Sequence, residues 1–380
     1  MIDMSVKDLL TDGTYNICRG KSVMNVLLIS AKVENPSGGI AVWTEHYFTG
    51  CKEIENLFCD LVNVAMNGRR AACATAKRSL KDEVLRTYGI MGQLNERLKH
   101  GAYDVAHLNT NIGAFGIVRD YFIARKVAKR GIPIILHFHC DVPKWDTNFI
   151  TRHFLKKILK ICKMEYVLCE SSRQYLREVY GIESTKIPNF VDEDLIAPSK
   201  VIREHIRKVM FTGRVSESKG AAEIFEIAKH FPDITFVLAG EVSKEISLSE
   251  HSDNIVLAGV QEHKTVISYL DAADLFLFPS HTEGFSLALA EAMARGLPAV
   301  ATDVGANAEM LNDQGGIVVA VGDVRAMKDA VLRLDDSSIR EKMSLWNLKK
   351  VKEQYGTKQV MRMLIRSYEK VMEKGTNDAL

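Results

Sequence analysis

One pattern occurs twice along this chain: short apolar segments of strand length alternate with longer segments of helical periodicity. Continuous apolar strands between helices are typical of parallel sheets that helices cover on both faces. The pattern therefore predicts an α/β chain with two doubly wound, Rossmann-like parallel sheets. The predicted strands span 23–30, 60–64, 105–109, 132–138 and 166–169, then 209–212, 235–239, 255–258, 275–278, 298–302 and 316–319. In the first half, the predicted helices span 40–58, 81–99, 116–129 and 149–163.

A break between the two halves divides the chain into domains. Prolines and polar residues interrupt both periodicities there, which predicts a hinge near Pro198. The 380 residues also exceed what one hydrophobic core usually fills. We therefore predict two domains, 1–198 and 199–356, followed by a C-terminal segment, 357–380. Its amphipathic periodicity predicts a helix that packs back across a domain surface.

Composition excludes several classes of protein. The formal net charge of +2 is too small for nucleic-acid binding by overall charge, so anion binding must depend on local clusters. The seven cysteines are scattered without a C-x-x-C pair, which predicts reduced thiols. The chain shows neither a signal-peptide pattern at its start nor a run of about 18 apolar residues. These features predict a cytoplasmic protein.

The most informative segment, 280–298, predicts an anion site. A strand ends at Pro279, a short loop carries Glu283 and Gly284, and a helix begins near Phe285. The first amides of a helix have no intrahelical acceptor and lie at the positive end of its dipole, so they can bind a diphosphate. Glu291, further along this helix, is placed to accept the hydroxyls of a ribose.

Each glutamate also has a simpler interpretation. Alone, Glu291 is a solvated helix residue and Glu283 a carboxylate that complements the helix dipole. Their combination with a strand, a loop and a helix N-terminus favours a ligand site.

The spacing of Glu283 and Glu291 resembles the Glu-x7-Glu signature of the large retaining glycosyltransferase family typified by sucrose synthases and bacterial mannosyltransferases, the GT4 type. A second match precedes it, because residues 211–220 resemble the family segment whose Arg and Lys hold the donor diphosphate. These residues correspond to Arg214 and Lys219. The resemblance implies the GT-B fold, with two Rossmann-like domains facing a cleft, and transfer of a hexosyl unit with retention of configuration.

The resemblance also implies the rest of the donor site. A glycine-rich loop after the first strand matches Ser37, Gly38 and Gly39. A histidine near the transferred sugar matches His139, although His137 lies on the same strand face and the assignment between the two stays open. The implied catalytic residues are His139 and Glu283. The implied donor contacts are Gly38, Gly39, Arg214, Lys219, Val260, Gly284, Phe285, Ser286, Leu287 and Glu291.

Some positions depart from the family pattern. Phe190 in the hinge segment and Ala306 in a later loop stand where the family usually has glycine. Asp192 and Asp194 resemble an Asp-x-Asp metal motif, but their place in a hinge indicates helix capping or solvation. A metal site from His137, His139 and Asp141 is a weaker alternative. The departures keep open a catalytically silent relative that acts as a binding subunit, and a nucleotide-sugar epimerase has the same architecture.

The expected reaction needs no cofactor, because two cations and a helix N-terminus can neutralise a diphosphate without metal. We expect a nucleotide diphosphate sugar donor, UDP-sugar being favoured, in the second domain and a glycan or lipid-linked acceptor in the first. The cationic, apolar segment 151–163 is either an ordinary packed helix or a helix on an anionic membrane. A second basic cluster, Arg69, Arg70, Lys77, Arg78 and Lys81, favours a membrane-bound or an anionic acceptor, and a membrane-bound one places the enzyme at the inner face of the membrane.

Overall fold

The computed structural model describes residues 23–33, 38–65 and 80–377. Contacts divide the chain into two units, one of Met1–Pro188 with Thr357–Leu380 and one of Asn189–Gly356. The division falls before the predicted hinge at Pro198. Outside the described residues lie Ser37 of the glycine-rich loop, four residues of the second basic cluster and two of the seven cysteines: Arg69, Arg70, Lys77, Arg78, Cys18 and Cys73.

The first unit contains a six-stranded parallel sheet in the order β2-β1-β3-β4-β5-β6. Its strands are β1 Met24–Ser30, β2 Leu57–Asn63, β3 Val105–Thr110, β4 Ile134–Phe138, β5 Met164–Val167 and β6 Thr185–Lys186. Its helices are α1 Gly39–Lys52, α2 Leu80–His100, α3 Ala114–Ala128, α4 Val142–Trp145, α5 Phe149–Leu159 and α6 Glu170–Tyr180. Every residue of β3 and β4 is buried, as the unbroken apolar runs require.

The second unit contains another six-stranded parallel sheet, in the order β12-β11-β10-β7-β8-β9. Its strands are β7 Lys208–Thr212, β8 Thr235–Ala239, β9 Ile255–Gly259, β10 Leu275–Phe278, β11 Ala299–Thr302 and β12 Gly316–Val319. Its helices are α7 Ala221–Ala228, α8 Lys244–Ser247, α9 His263–Ala272, α10 Leu287–Ala294, α11 Asn307–Leu311, α12 Val324–Arg333 and α13 Ser337–Gln354. The predicted fold class, two doubly wound parallel sheets, is confirmed.

The order of strands locates the ligand-binding edge of each sheet. In doubly wound sheets, ligands bind outside the carboxyl ends of the strands, where the direction of strand addition reverses. This reversal falls between β1 and β3 in the first unit and between β7 and β10 in the second. The loops after these four strands are therefore the candidate positions for functional residues.

The last helix, α14 (Thr357–Asn377), returns to the first unit. It packs on α1, where a Cβ atom at Gly50 would lie 2.6 Å from Cγ of Met361. Tyr368 of the same helix is fully buried and reaches His107 of β3. The C-terminal helix thus completes the core of the first unit.

One predicted helix, 40–58, extended too far. Helix α1 ends at Lys52, and the amides of Glu53 and Ile54 bond to the carbonyls of Gly50 and Cys51 as the chain turns. Strand β2 then begins at Leu57, within the predicted helix. The apolar residues after Lys52 fit a helical period as well as a strand period, so periodicity alone could not separate the two.

The described cysteines, Cys51, Cys59, Cys140, Cys162 and Cys169, are free thiols. Within residues 23–33, 38–65 and 80–377, no helix combines the length and the apolar character needed to cross a membrane.

The loops after β7 and β8 approach each other very closely. We therefore expect Gly240→Ala to destabilise the second unit. A Cβ at Gly240 would overlap the carbonyl of Gly213, and its φ of +147° is one that other residues rarely adopt. We expect the free energy of unfolding in urea to fall by about 3 kcal/mol.

Gly259→Ala is the matched control. Gly259 also has a positive φ, +67°, but nothing lies within 4 Å of an added Cβ. Its substitution should cost only about 1–2 kcal/mol of backbone strain. Equal losses in both variants would show that the close approach of Gly240 to Gly213 is unimportant.

Candidate functional site

The carboxyl ends of β7 and β10 carry an ion pair between two residues that the sequence singles out. Nζ of Lys219 lies 2.6 Å from Oε1 of Glu283 and 3.3 Å from the carbonyl oxygen of Thr282. The side chains are 28% and 13% exposed, respectively. The sheet thus brings a cation and a carboxylate from distant parts of the sequence together at its reversal point.

Glycine permits this juxtaposition. Lys219 ends a 3-10 turn, Glu217–Lys219, and Gly220 follows it with a φ of +79°. A Cβ at Gly220 would overlap the carbonyl of Pro279, at the end of β10. Only a residue without a side chain can pass this close, so Gly220 fixes the distance between the two loops.

The loop after β11 supports the Glu283 loop from another side. The amide of Ala306 donates to the carbonyl of Gly284 at 2.9 Å. A Cβ at Gly305, whose φ is +56°, would lie 2.6 Å from the carbonyl oxygen of Glu283. Ala306 is buried here, so its side chain faces the protein interior.

Helix α10 begins directly after this loop. Ser286 caps it, its hydroxyl accepting a hydrogen bond from the amide of Leu289 at 3.1 Å. The ring of Phe285 is buried against Tyr355, with ring centroids 5.2 Å apart. Its side chain therefore belongs to the core, whereas the backbone of Phe285, Ser286 and Leu287 forms the helix N-terminus.

Glu291 lies one turn into α10 and contacts His263, the first residue of α9. Oε1 of Glu291 is 3.2 Å from Nε2 of His263. The hydrogen bond to Glu291 raises the pKa of His263 despite partial burial, and the charges of Glu291 and Asp192 act in the same direction. This pairing could not be predicted from the sequence, because 28 residues separate Glu291 from His263. Val260 is exposed just before the same helix.

Arg214 follows β7 and has a mostly exposed side chain. Its Nε lies 3.6 Å from Oε2 of Glu241, which is exposed to a similar degree. An exposed pair of this length contributes little to stability, so Arg214 can exchange its partner for an anion at small cost.

Asp192 caps a 3-10 turn, Glu193–Leu195, because its carboxylate accepts a hydrogen bond from the amide of Asp194. This confirms the interpretation of Asp192 as a capping residue.

The described residues contain no group of three His, Cys, Asp or Glu side chains that could hold a metal ion. Asp141 instead accepts a hydrogen bond from Ser171 at 2.6 Å.

In the first unit, Gly38 and Gly39 lie at the beginning of α1, after β1. Gly38 has a φ of +88°, and no atom lies within 4 Å of a Cβ at either glycine. Below them, Ser30 contacts Thr44 at 2.6 Å, and Thr44 donates to the carbonyl of Ile40. These bonds join the end of β1 to the first turns of α1.

Three histidines form a buried cluster beside α1. Nδ1 of His107 lies 2.6 Å from the hydroxyl of Tyr368, and Nε2 of His107 lies 3.2 Å from Nδ1 of His137. The ring of Trp43 lies 5.2 to 5.4 Å from those of His107, His137 and His139. The contact between His107 and Tyr368 could not be predicted from the sequence, because 261 residues separate them.

The hydrogen bonds assign the tautomers of two of these histidines. The hydroxyl of Tyr368 donates to that of Tyr47, so its oxygen accepts from Nδ1–H of His107. Nε2 of His107 then accepts from Nδ1–H of His137. Burial, with the neighbouring His139, lowers the pKa of His107 to about 3, and both rings are neutral.

His139 differs from His137 in its surroundings. It follows β4 and is less buried as a residue, although both of its ring nitrogens are buried, and its ring is tilted by 38° from that of His137 with centroids 4.2 Å apart. Neither ring nitrogen of His139 has a hydrogen-bond partner among the described residues, and burial lowers its pKa to about 3. His137 is fully buried and bonded to His107. His137 thus has one ring nitrogen committed to His107 and His139 has none committed among the described residues, and the assignment of His139 to the sugar stays a prediction.

The buried histidines predict a loss of stability in acid. An unfolded histidine binds a proton below its ordinary pKa of 6.5, whereas folded His107 and His139 resist protonation down to about 3. The free energy of unfolding should therefore fall with pH below 6.5, by up to ~1.4 kcal/mol per pH unit for each histidine. Urea unfolding at a series of pH values measures the slope.

His107→Gln should reduce this slope by the share of one histidine. Leu108→Ala, at the next position of β3, should lower stability and leave the slope unchanged, because it removes no titrating group. A slope that His107→Gln leaves intact would contradict the assignment of a neutral, buried His107.

The pair of His263 and Glu291 predicts a histidine pKa above 6.5, measurable by NMR titration. A raised pKa means that the pair stabilises the fold below 6.5 and that this contribution disappears as pH rises through the folded value. Glu291→Gln should return the pKa of His263 toward 6.5. Glu262→Gln, at the adjacent N-cap of α9, should leave it raised, and equal shifts in both variants would contradict the pairing.

Two family models match the chain. The one described as glycosyl transferases group 1 matches residues 206–336, and the one described as glycosyltransferase family 4 matches residues 64–195. The first match covers all six strands of the second unit and contains Arg214, Lys219, Glu283 and Glu291. Together the matches cover more than half of the 380 residues.

Two curated relatives and one solved structure illustrate the similarity. The chain is 26% identical over 281 residues to a 2-deoxystreptamine N-acetyl-D-glucosaminyltransferase from Niallia circulans, covering 65% of this chain and 71% of the relative. It is 25% identical over 283 residues to an Escherichia coli UDP-Gal:alpha-D-GlcNAc-diphosphoundecaprenol alpha-1,3-galactosyltransferase, covering 66% and 71%.

The fold resembles that of a sucrose-phosphate synthase from Thermosynechococcus elongatus, with a TM-score of 0.76 at 15% identity over 92% of this chain and 100% of the other. The two family models and the two six-stranded parallel sheets lead to the same conclusion. The chain is a glycosyltransferase with the GT-B fold, and it matches the models described as glycosyl transferases group 1 and glycosyltransferase family 4.

Proposed function

We propose that this glycosyltransferase moves a hexosyl unit, with retention of anomeric configuration, from a nucleotide diphosphate sugar to a glycan or lipid-linked acceptor. The observation that carries the proposal is the pair of Lys219 and Glu283 at the reversal point of the second sheet, directly before the N-terminus of α10. A doubly wound sheet binds nucleotides at this point, and a helix N-terminus there suits a diphosphate.

The electrostatic demand of the reaction is the charge that develops on the leaving diphosphate. Lys219 is held at the site by Glu283, Arg214 has only an exposed partner, and the first amides of α10 add partial positive charge. Preorganised donors of this kind act where charge develops in the transition state. We infer that they serve without a metal cofactor.

Glu291 is assigned to the ribose of the donor. It lies about 6 Å along α10 from the first residue of the helix, at 1.5 Å per residue. Its side chain is 20% exposed, so one carboxylate oxygen can accept from a ribose hydroxyl while the other contacts His263. Val260, which is exposed just before α9, is assigned to the contact with the nucleobase.

In the transfer step, the acceptor hydroxyl forms a bond to the anomeric carbon as the bond from that carbon to the diphosphate breaks. The proton of the hydroxyl passes to the leaving phosphate. We assign the acceptor to the first unit, with Gly38 and Gly39 as the open turn and His139 as the residue that positions the sugar. A neutral imidazole suits this role, because it can donate and accept hydrogen bonds without adding charge.

We propose a UDP-sugar donor and a lipid-linked acceptor because the chain is similar to a relative whose name specifies both. The name of the Escherichia coli relative specifies UDP-Gal and a diphosphoundecaprenol acceptor. By this similarity, we place the reaction in the synthesis of bacterial surface polysaccharide or glycoconjugate, at the inner face of the membrane.

Slow hydrolysis of the donor tests the proposal without knowledge of the acceptor. Release of free nucleotide from a panel of UDP-, GDP- and ADP-sugars should single out one donor. Arg214→Ala and Glu283→Gln should each lower the rate by about 10²–10³-fold, as expected when one preorganised group is removed. The rate should not change with a chelator of divalent metals.

Matched variants separate the site from the rest of the surface. Arg207→Ala removes an exposed arginine just before the amino end of β7, at the opposite edge of the sheet from Arg214, and should leave hydrolysis unchanged. No release from any donor, together with no thermal stabilisation by any nucleotide, would overturn the proposal and indicate a silent binding relative.

A further inference from the structure

We propose that the outer surface of α3 and α5 docks the enzyme on a membrane of anionic phospholipid. This surface, the α3–α5 face, consists of exposed apolar residues and of lysines and arginines on the two helices and the turns that follow them. Its members are Phe115, Phe122, Arg125, Lys126, Lys129, Arg130, Phe149, Ile150, Arg152, Lys156, Lys157 and Lys160.

The apolar part of the face is an aromatic cluster that spans both helices. Tyr121 lies 5.3 Å from Phe122 and 5.5 Å from Phe154, by ring centroids. His153 connects Phe154 to Phe149 with centroid distances of 5.3 and 5.8 Å. The aromatic residues of α3 and α5 therefore form one surface.

The packing of α5 does not require these residues. Its inward side is complete with Thr151, Leu155, Ile158 and Leu159, all buried. Phe149 nevertheless remains 81% exposed, Ile150 53% and Phe122 47%. Large apolar side chains that the core does not use are costly in water, and a contiguous patch of them indicates an interaction surface.

The charged side chains of the α3–α5 face are all cationic. Residues 121–163 contain ten lysines and arginines but only two acids, Asp141 and Asp146, and both acids are buried. Asp146 is held by the hydroxyls of Tyr175 and Tyr180 and by Arg152. The chain as a whole has a net charge of only +2, so the cations are concentrated here.

Aromatic side chains interleaved with lysines match the chemistry of a lipid headgroup region. The rings enter the interface between headgroups and acyl chains, while cations bind lipid phosphates. Lys157 illustrates the arrangement, because its Nζ lies 5.7 Å from the ring centres of both Tyr121 and Phe154. The ammonium group of this lysine thus lies over the aromatic cluster, as cations do at a lipid headgroup region.

A second copy of the chain fits the α3–α5 face less well than an anionic bilayer does. Two copies of this face would bring ten or more cations against each other, and among residues 121–163 both acids are buried and cannot compensate them. Like charges in contact oppose association. An anionic bilayer, in contrast, supplies the opposite charge over an extended area.

The experiment is co-sedimentation of the full chain with vesicles of phosphatidylcholine, with and without phosphatidylglycerol. We expect binding that depends on phosphatidylglycerol and weakens with added salt. Lys156→Gln with Lys160→Gln should weaken binding about 25-fold, about fivefold for each cation. Phe149→Ser should weaken it about tenfold.

Matched controls lie on α13 of the other unit. Lys342→Gln with Lys349→Gln removes two exposed lysines, and Leu345→Ser removes a 62% exposed apolar residue. These controls should bind vesicles as the natural chain does. Thermal unfolding confirms that all variants fold, and donor hydrolysis should be the same in all of them.

Three results would overturn the proposal. The first is equal loss of vesicle binding in the face variants and the controls, and the second is no binding to vesicles with phosphatidylglycerol at low salt. The third is a dimer at micromolar concentration that Phe149→Ser dissociates, which would assign the face to a second copy. Vesicle binding and oligomeric state are both measured independently of sugar transfer, so failure here leaves the proposed function intact.

Discussion

A parallel sheet sends the loops after all its strands to one edge, and this constraint determines the candidate site of the second unit. The loops after β7, β10 and β11 come from residues far apart in sequence but meet there. Glycine sets how closely they meet, since Gly220 passes the end of β10 and Gly305 passes Glu283 without a Cβ. The pair of Lys219 and Glu283 depends on both approaches. A cation, a carboxylate and a helix N-terminus are thus fixed before any ligand arrives.

Much of this could be predicted from the sequence because it is local. Strand-length apolar runs, the turn at Gly284 and the spacing of Glu283 and Glu291 each lie within a few residues, and these features led to the correct fold class. Contacts across the sheet could not be predicted in the same way. The partner of Glu291 is His263 and that of His107 is Tyr368, and no periodicity connects such distant positions. The end of α1 was missed because its apolar residues fit two periods.

The histidines of the first unit show how environment separates identical residue types. His107 and His137 form one chain of hydrogen bonds that continues through Tyr368 of α14 to Tyr47 of α1, so both rings are bonded within the core. His139 is one residue beyond the strand, and its nitrogens have no such partner among the described residues. Sequence alternation placed His137 and His139 on one face and could not choose between them. The difference arises from where β4 ends and from what lies across from each ring.

In this protein, the location of the cations, and not the net charge, indicates where anions bind. A net charge of +2 would suggest no affinity for anions, yet cations are concentrated in two unlike settings. At the carboxyl edge of the second sheet they are few and each is paired with a carboxylate, which suits recognition of one diphosphate at a defined position. On the α3–α5 face they are numerous and surround exposed aromatic rings, which suits a surface whose anions are mobile. Because a small ligand needs fixed donors and a bilayer does not, the number of the cations and the exposed rings among them distinguish the two uses of the same residue types.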